Sequence, residues 1–253
     1  EGLKLKVERG NRVFPMSDRS ADVLDTLRRA MRAAGVQVHL NTEVKRVLKN
    51  DTGFILQLVD GTKDMADKVI VATGGISYES TGSTGDGYRF AEEFGLKVTE
   101  CCPSLVPFNV REDWVKELQG LSLKNVSILI KDGKKKLFSD FGEMMFTHFG
   151  VTGPLILTAS SVCARKIREK EVKLYLDLKP ALTKEQLDAR ILREFDANAN
   201  KQFRNVLPSL LPSKLVSVMY ELCGIAPEKR IHDITKEERE RFLSCLKELE
   251  LTV

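Results

Sequence analysis

The chain has 253 residues, 42% hydrophobic and 30% charged, which is enough for one large or two ordinary domains around a buried core. Forty Lys and Arg against 36 Asp and Glu leave a formal charge of +4, too slight and too scattered to indicate nucleic acid, so no nucleic-acid partner is expected. No apolar run approaches the roughly 20 residues that span a bilayer and no signal-peptide pattern opens the chain, which predicts a cytoplasmic protein with no membrane partner.

In chain order, Leu3 to Val7 alternates like a strand, and Arg12 to Pro15 leads into a loop. A helix follows with Ser20 as its N-cap, Val23, Leu24, Leu27, Met31 and Ala34 on one apolar face, and Gly35 as its stop. Strands are predicted over Val36 to Leu40, Val44 to Leu48 and Phe54 to Val59, with turns at Asn50 to Gly53 and Asp60-Gly61. Lys68 to Ala72 is an apolar β-branched run of the kind buried in a parallel sheet. A short helix near Tyr88, with Ala91 and Phe94 at helical spacing, ends at Gly95.

Beyond Gly95 the pattern turns to strands: Lys97 to Glu100, Ser104 to Val110, Leu121 to Ile130, Lys136 to Phe138, Met144 to Thr147 and Val172 to Leu178, around a helical patch from Pro154 to Arg168. Such spacing suggests a small antiparallel sheet or barrel. From Thr183 onward the periodicity is helical, with faces at Leu187, Ile191, Leu192 and Phe195, at Leu215, Val218, Met219 and Leu222, and at Phe242, Leu243, Leu246 and Leu249.

Five of the 17 glycines fall between Gly74 and Gly87. In Ala72-Thr-Gly-Gly75 they follow the apolar run, where a missing Cβ lets a ligand's sugar or phosphate approach the backbone; a tight turn is the equal alternative. Thr81-Gly-Ser-Thr-Gly-Asp-Gly87 adds hydroxyls and free N–H groups ahead of a helix, whose positive end suits phosphate or an electron-rich ring. Asp86 would repel phosphate, so it is expected to cap that helix or to accept a hydrogen bond from a ribose hydroxyl or flavin N–H.

Other chemistry is sparse. Five cysteines without CxxC spacing fit a reducing compartment, and Cys101-Cys102 reads as two small apolar residues at a strand end. Three separated histidines indicate no metal site, and His148 reads as a packed structural residue. No GxSxG or Cys–His pair supports a hydrolase. Lys131 to Lys136 is a basic hairpin tip without an aromatic stacking stripe. It leaves a non-enzymatic nucleotide- or RNA-binding protein using the basic β module as the alternative function.

Arg12-Val-Phe-Pro15 with the following helix start, the Val69 to Gly87 segment, Pro103 to Pro107 and Gly142 to Pro154 together resemble the bacterial aminoacetone-oxidase-like flavoproteins, the YhiN/BaiN-like family. The resemblance implies an α/β plus α+β architecture. A partial Rossmann-like FAD-binding domain (1–103) precedes an insert with an antiparallel β-barrel-like part (104–180) and a helical part (181–253). It implies a flavin-dependent oxidoreductase acting on a small organic substrate, with NAD(P)H as a candidate donor, and the flavin's own chemistry requires no named catalytic residue.

By the same resemblance Val44 meets the adenine through its backbone. Thr73, Gly74 and Gly75 line the dinucleotide, Thr84, Gly85, Asp86 and Gly87 approach the central or flavin portion, and Arg12 to Pro15 lie on the isoalloxazine side. The family's opening GxGxxG and closing flavin-contacting segment have no counterpart here. The chain therefore reads as an internal piece of a longer flavoprotein, expected to hold FAD weakly or not at all by itself.

Overall fold

A computed structural model describes residues 2–8 and 11–253; Glu1, at which the first expected domain opens, lies outside the described residues with Arg9 and Gly10. The chain divides into two compact units, Glu1–Thr99 and Glu100–Val253.

In the first unit β1 (Leu5–Glu8) pairs antiparallel with β2 (Arg12–Pro15), so the segment expected to lead into a loop is itself a strand. Helix α1 (Ser20–Ala33) follows, with Arg19 rather than Ser20 at its N-cap. Its end is as expected: Val36 N–H reaches back to Met31 O and Gly35 N–H to Arg32 O, closing a Schellman motif. A three-stranded antiparallel sheet comes next, in the order β3 (Val44–Lys49), β4 (Phe54–Leu58), β5 (Lys63–Ala66). The Asn50 side chain makes the first turn by accepting from Thr52 and Gly53 N–H, and Asp60 makes the second by accepting from Thr62. Helix α2 (Asp86–Glu93) closes the unit, with Phe94 edge-on to Phe54 at 6.3 Å.

Two expected strands of this unit do not form. Residues 36–40 and 68–72 have no ladder partner among the described residues, and an extended run without one leaves its N–H and C=O groups to water. Ile70 is accordingly 91% exposed. Of the described residues in this unit only Thr26, Val47 and Phe90 are buried, and the apolar face of α1 stands open at Leu24 and Leu27.

The second unit is built on six antiparallel strands in the order β11-β10-β7-β8-β9-β6. In chain order these are β6 (Phe108–Asn109), β7 (Ser122–Asp132), β8 (Lys135–Phe146), β9 (Gly150–Thr152), β10 (Lys173–Asp177) and β11 (Leu249–Thr252). Strand β8 joins two expected strands into one of 12 residues. Residues 97–100 form no strand, and β6 keeps only two residues of the longer run expected there, so Cys101 and Cys102 lie outside any strand. Strand β11 takes Leu249 from the helical face assigned to it, because Leu249 and Leu251 alternate inward against β10.

The two edges approach each other. Arg111 N–H, just after β6, donates to Thr252 O in β11 at 3.0 Å, and Thr252 N–H donates to the Glu112 carboxylate at 2.9 Å. The edge groups are thus paired instead of being left open.

Helix α3 (Pro154–Glu169) lies between β9 and β10, and α4 (Lys184–Asp196), α5 (Phe203–Val206), α6 (Ser213–Cys223) and α7 (Lys236–Lys247) follow β10. One apolar core runs from the sheet, through Ile128, Ile130, Phe146 and Leu174, into the helices through Leu187, Phe203, Leu215 and Phe242. Phe203 is its aromatic hub, edge-on to Phe195 at 6.3 Å and to Phe242 at 5.5 Å. His148, expected to be packed, is instead exposed in the β8–β9 turn, edge-on to Phe149.

Candidate functional site

The glycine loop folds back on itself. Gly85 N–H donates to Gly75 O at 3.1 Å, which brings Thr73, Gly74 and Gly75 beside Thr84, Gly85, Asp86 and Gly87. Two glycines are required by this shape. Gly85 is the N-cap of α2 at φ +86°, where a side chain would be strained and would also press on Ile76 Cγ2 at 3.0 Å. A Cβ on Gly87 would come within 2.7 Å of Thr73 Oγ1. These glycines let the loop pack against its own chain, so what it offers a guest is its N–H groups.

Those donors are free. Among the described residues no partner takes the N–H of Thr73, Gly74, Gly75, Ser83 or Thr84, and no side chain caps α2. The first-turn N–H groups of an α-helix have no partner within the helix, so Asp86 and Gly87 add to the array at the positive end of the dipole.

Asp86 does not cap the helix. Its Oδ1 accepts from Arg89 Nη2 at 2.8 Å and its Oδ2 from Thr84 Oγ1 at 3.1 Å. Arg89, with Thr84 adding to it, holds the Asp86 carboxyl below the usual aspartate range, so it is ionised and already neutralised at neutral pH. The repulsion that an isolated Asp86 would exert on an anionic guest is therefore answered within the loop. Arg89 also donates to Lys45 O at 2.5 Å and approaches Glu93 at 3.5 Å, which ties α2 to β3 one residue from Val44. Neither motif nor glycine spacing singled out Arg89; the signal was its place three residues after Asp86 on one helix.

Arg12 to Pro15 lie in the β1–β2 pair, with Val13 and Phe14 exposed. Two concavities are lined by residues other than those of the loop. A hollow of about 380 Å³ is bordered by Asp22, Asp25 and Arg29, and a groove of about 740 Å³ runs along α4 past Arg190 and Arg193. No group of three or more His, Cys, Asp or Glu is placed to hold a metal among the described residues.

Two regions of known families match the chain. Residues 4–102 match the pyridine nucleotide-disulphide oxidoreductase family, and residues 102–253 match the family described as HI0933-like protein barrel and H2TH domain. The first unit thus resembles the nucleotide-binding part of a redox protein. The second match covers most of the chain, which belongs to the HI0933-like family.

Among curated proteins the chain is similar to a 3-dehydro-bile acid delta(4,6)-reductase of Clostridium scindens, 28% identical over 97% of this chain and 60% of that protein. It is also similar to ribosomal RNA dihydrouridine synthases of Escherichia coli, 29% identical over 90% of this chain and 54% of that protein, and of Haemophilus influenzae, 32% over 86% and 52%. The chain therefore spans between half and two thirds of the length of these relatives.

Proposed function

We propose that the whole protein is a cytoplasmic, FAD-dependent oxidoreductase that draws reducing equivalents from NAD(P)H and reduces an organic substrate. The observation that carries the reading is the array of free N–H groups on the folded-back loop from Thr73 to Gly87, at an uncapped helix start whose one carboxylate is already neutralised. The donor set suits a dinucleotide: backbone N–H groups for phosphate or ring oxygens, the Thr73 and Thr84 hydroxyls for ribose, and an Asp86 carboxylate already paired with Arg89. Thr73, Gly74 and Gly75 would line the dinucleotide, Thr84 to Gly87 its central or flavin portion, and the Val44 main chain the adenine.

Flavin, when bound, supplies the hydride or electron chemistry. This chain's residues bind and orient. Arg89 holds Asp86 and the β3 backbone in one arrangement, and Gly85 and Gly87 leave room for the loop to fold back on itself.

The relatives support a reductive direction. One is named a reductase, and dihydrouridine, the product named for the other two, is uridine carrying two added hydrogens. A small organic molecule is the first substrate reading. An RNA uridine is the second, favoured by the lysines opposed across β7, β8 and β10. The test is anaerobic mixing of the purified whole protein with NADH or NADPH: bleaching of its visible flavin bands is expected, with colour returning on addition of an oxidising substrate. A protein with bound flavin that neither nicotinamide bleaches contradicts the donor assignment, and one without flavin contradicts the class.

A further inference from the structure

The end of the second unit's sheet where β7 turns into β8 carries more positive charge than its fold explains. Lys136, Lys131 and Lys173 stand opposite one another across β8, β7 and β10. Directly opposed residues of an antiparallel ladder share a face, and like charges there destabilise the pairing. Lys134 and Lys135 extend the row onto the exposed turn.

Lys166 and Lys170 reach the same place from the end of α3, since Lys170 Nζ lies 2.7 Å from Asp132 in that turn. Three carboxylates answer these seven lysines: Asp132, Glu169 at 2.5 Å from Lys166, and Glu250 at 2.6 Å from Lys173. The neighbouring Glu171 is taken by Arg111. Lys131, Lys134, Lys135 and Lys136 make no ion pair among the described residues.

An aromatic ring completes the patch. Lys131 Nζ lies 5.3 Å over the ring of Tyr175, which comes from β10, far along the chain from the basic turn. The sequence lacks an aromatic stripe beside Lys131 to Lys136, and the fold supplies this ring.

We propose that this surface docks RNA, with the lysines neutralising successive phosphates and Tyr175 offering a stacking plane to an unpaired base. The inference rests on the RNA reading of the substrate. A bilayer is the less fitting partner, because the turn from 131 to 136 exposes no large apolar side chain to insert.

The test is fluorescence anisotropy of a labelled, uridine-containing single-stranded RNA with the 253-residue chain, between about 50 and about 200 mM salt, with the flavin content of the whole protein read in parallel. With about four unanswered charges, log K should fall against log salt with a slope of about −3. K134E/K135E/K136E should weaken binding at least about tenfold and flatten the slope, while K134R/K135R/K136R should stay within about twofold of the parent. Y175A should weaken binding and leave the slope.

RNA affinity unchanged by the triple Glu variant, no RNA binding at about 50 mM salt, or capture by phosphatidylserine vesicles without RNA binding each overturns the proposal. Loss of RNA binding with flavin retained in the triple Glu variant supports it. RNA binding by a whole protein that holds no flavin supports the docking surface while refuting the redox reading, so the two fail separately.

Discussion

Arg89 decides whether the Asp86 carboxylate at the start of α2 presents an unpaired negative charge. Its guanidinium takes the Asp86 carboxylate and the Lys45 carbonyl together, a two-pronged role that a lysine cannot reproduce. R89A should weaken FAD retention by the whole protein about tenfold, equivalent to about 1.4 kcal/mol, with R89K in between, read by equilibrium dialysis. Cysteine chemistry is also set residue by residue. Burial pushes the Cys223 thiol up to about 11 and raises those of Cys163 and Cys245, whereas Cys101 is exposed. At pH 8 a thiol reagent should modify Cys101 rapidly and the other three only on unfolding; fast labelling of Cys223 in folded protein would contradict this packing. The residues lining the loop were legible as glycine and hydroxyl spacing. Arg89 was not, because its partners are an i,i+3 carboxylate and a backbone carbonyl far away in sequence.

Helices α4 and α7 begin with capping boxes, Thr183 with Gln186 and Thr235 with Glu238. T235A should cost about 1 kcal/mol, measured by urea unfolding of the second unit. Glu238 adds a pH dependence. The Lys229 ammonium, 2.7 Å away, holds its carboxyl below the usual glutamate range. Its contribution to stability is therefore complete above the ordinary glutamate pKa and lost as pH falls through the lower, folded value. E238Q should flatten that acid-side loss, and an unchanged pH profile would refute the assignment.

Elements were legible where helical periodicity was sustained, as in α3, α4 and α7, and where a turn carried its own chemistry, as at Asn50 and Asp60. They were misread where pairing decides. The apolar runs at 36–40 and 68–72 have strand composition and no partner, the polar Lys63–Ala66 is a strand because β4 pairs with it, and Leu249 fits a helical stripe until β10 claims it.

The two units differ in how much they bury. In the second, a single core joins sheet and helices, and Glu112 closes the sheet's edges through Thr252. In the first, three described residues are buried while Leu24, Leu27, Ile70 and Val71 face water. Hydrogen exchange of this chain should therefore place the slowest amides in β7, β8, β10, α6 and α7, with residues 2–8 and 11–99 exchanging faster; equal protection in both units would contradict the contrast. At this scale the sequence disclosed the change of character after Gly95, because spacing alone separates a glycine-loop region from short strands and then from helices. The closure by Glu112 and the gathering of seven lysines were hidden, since both depend on strand order. The central claim, that the loop from Thr73 to Gly87 cradles a flavin dinucleotide, is tested most directly by the visible spectrum of the purified whole protein beside its G85V/G87V variant. The account predicts the bands of stoichiometric flavin in the parent and their loss in the variant. A parent that stays colourless after incubation with FAD, or a variant that keeps its full colour, would contradict it.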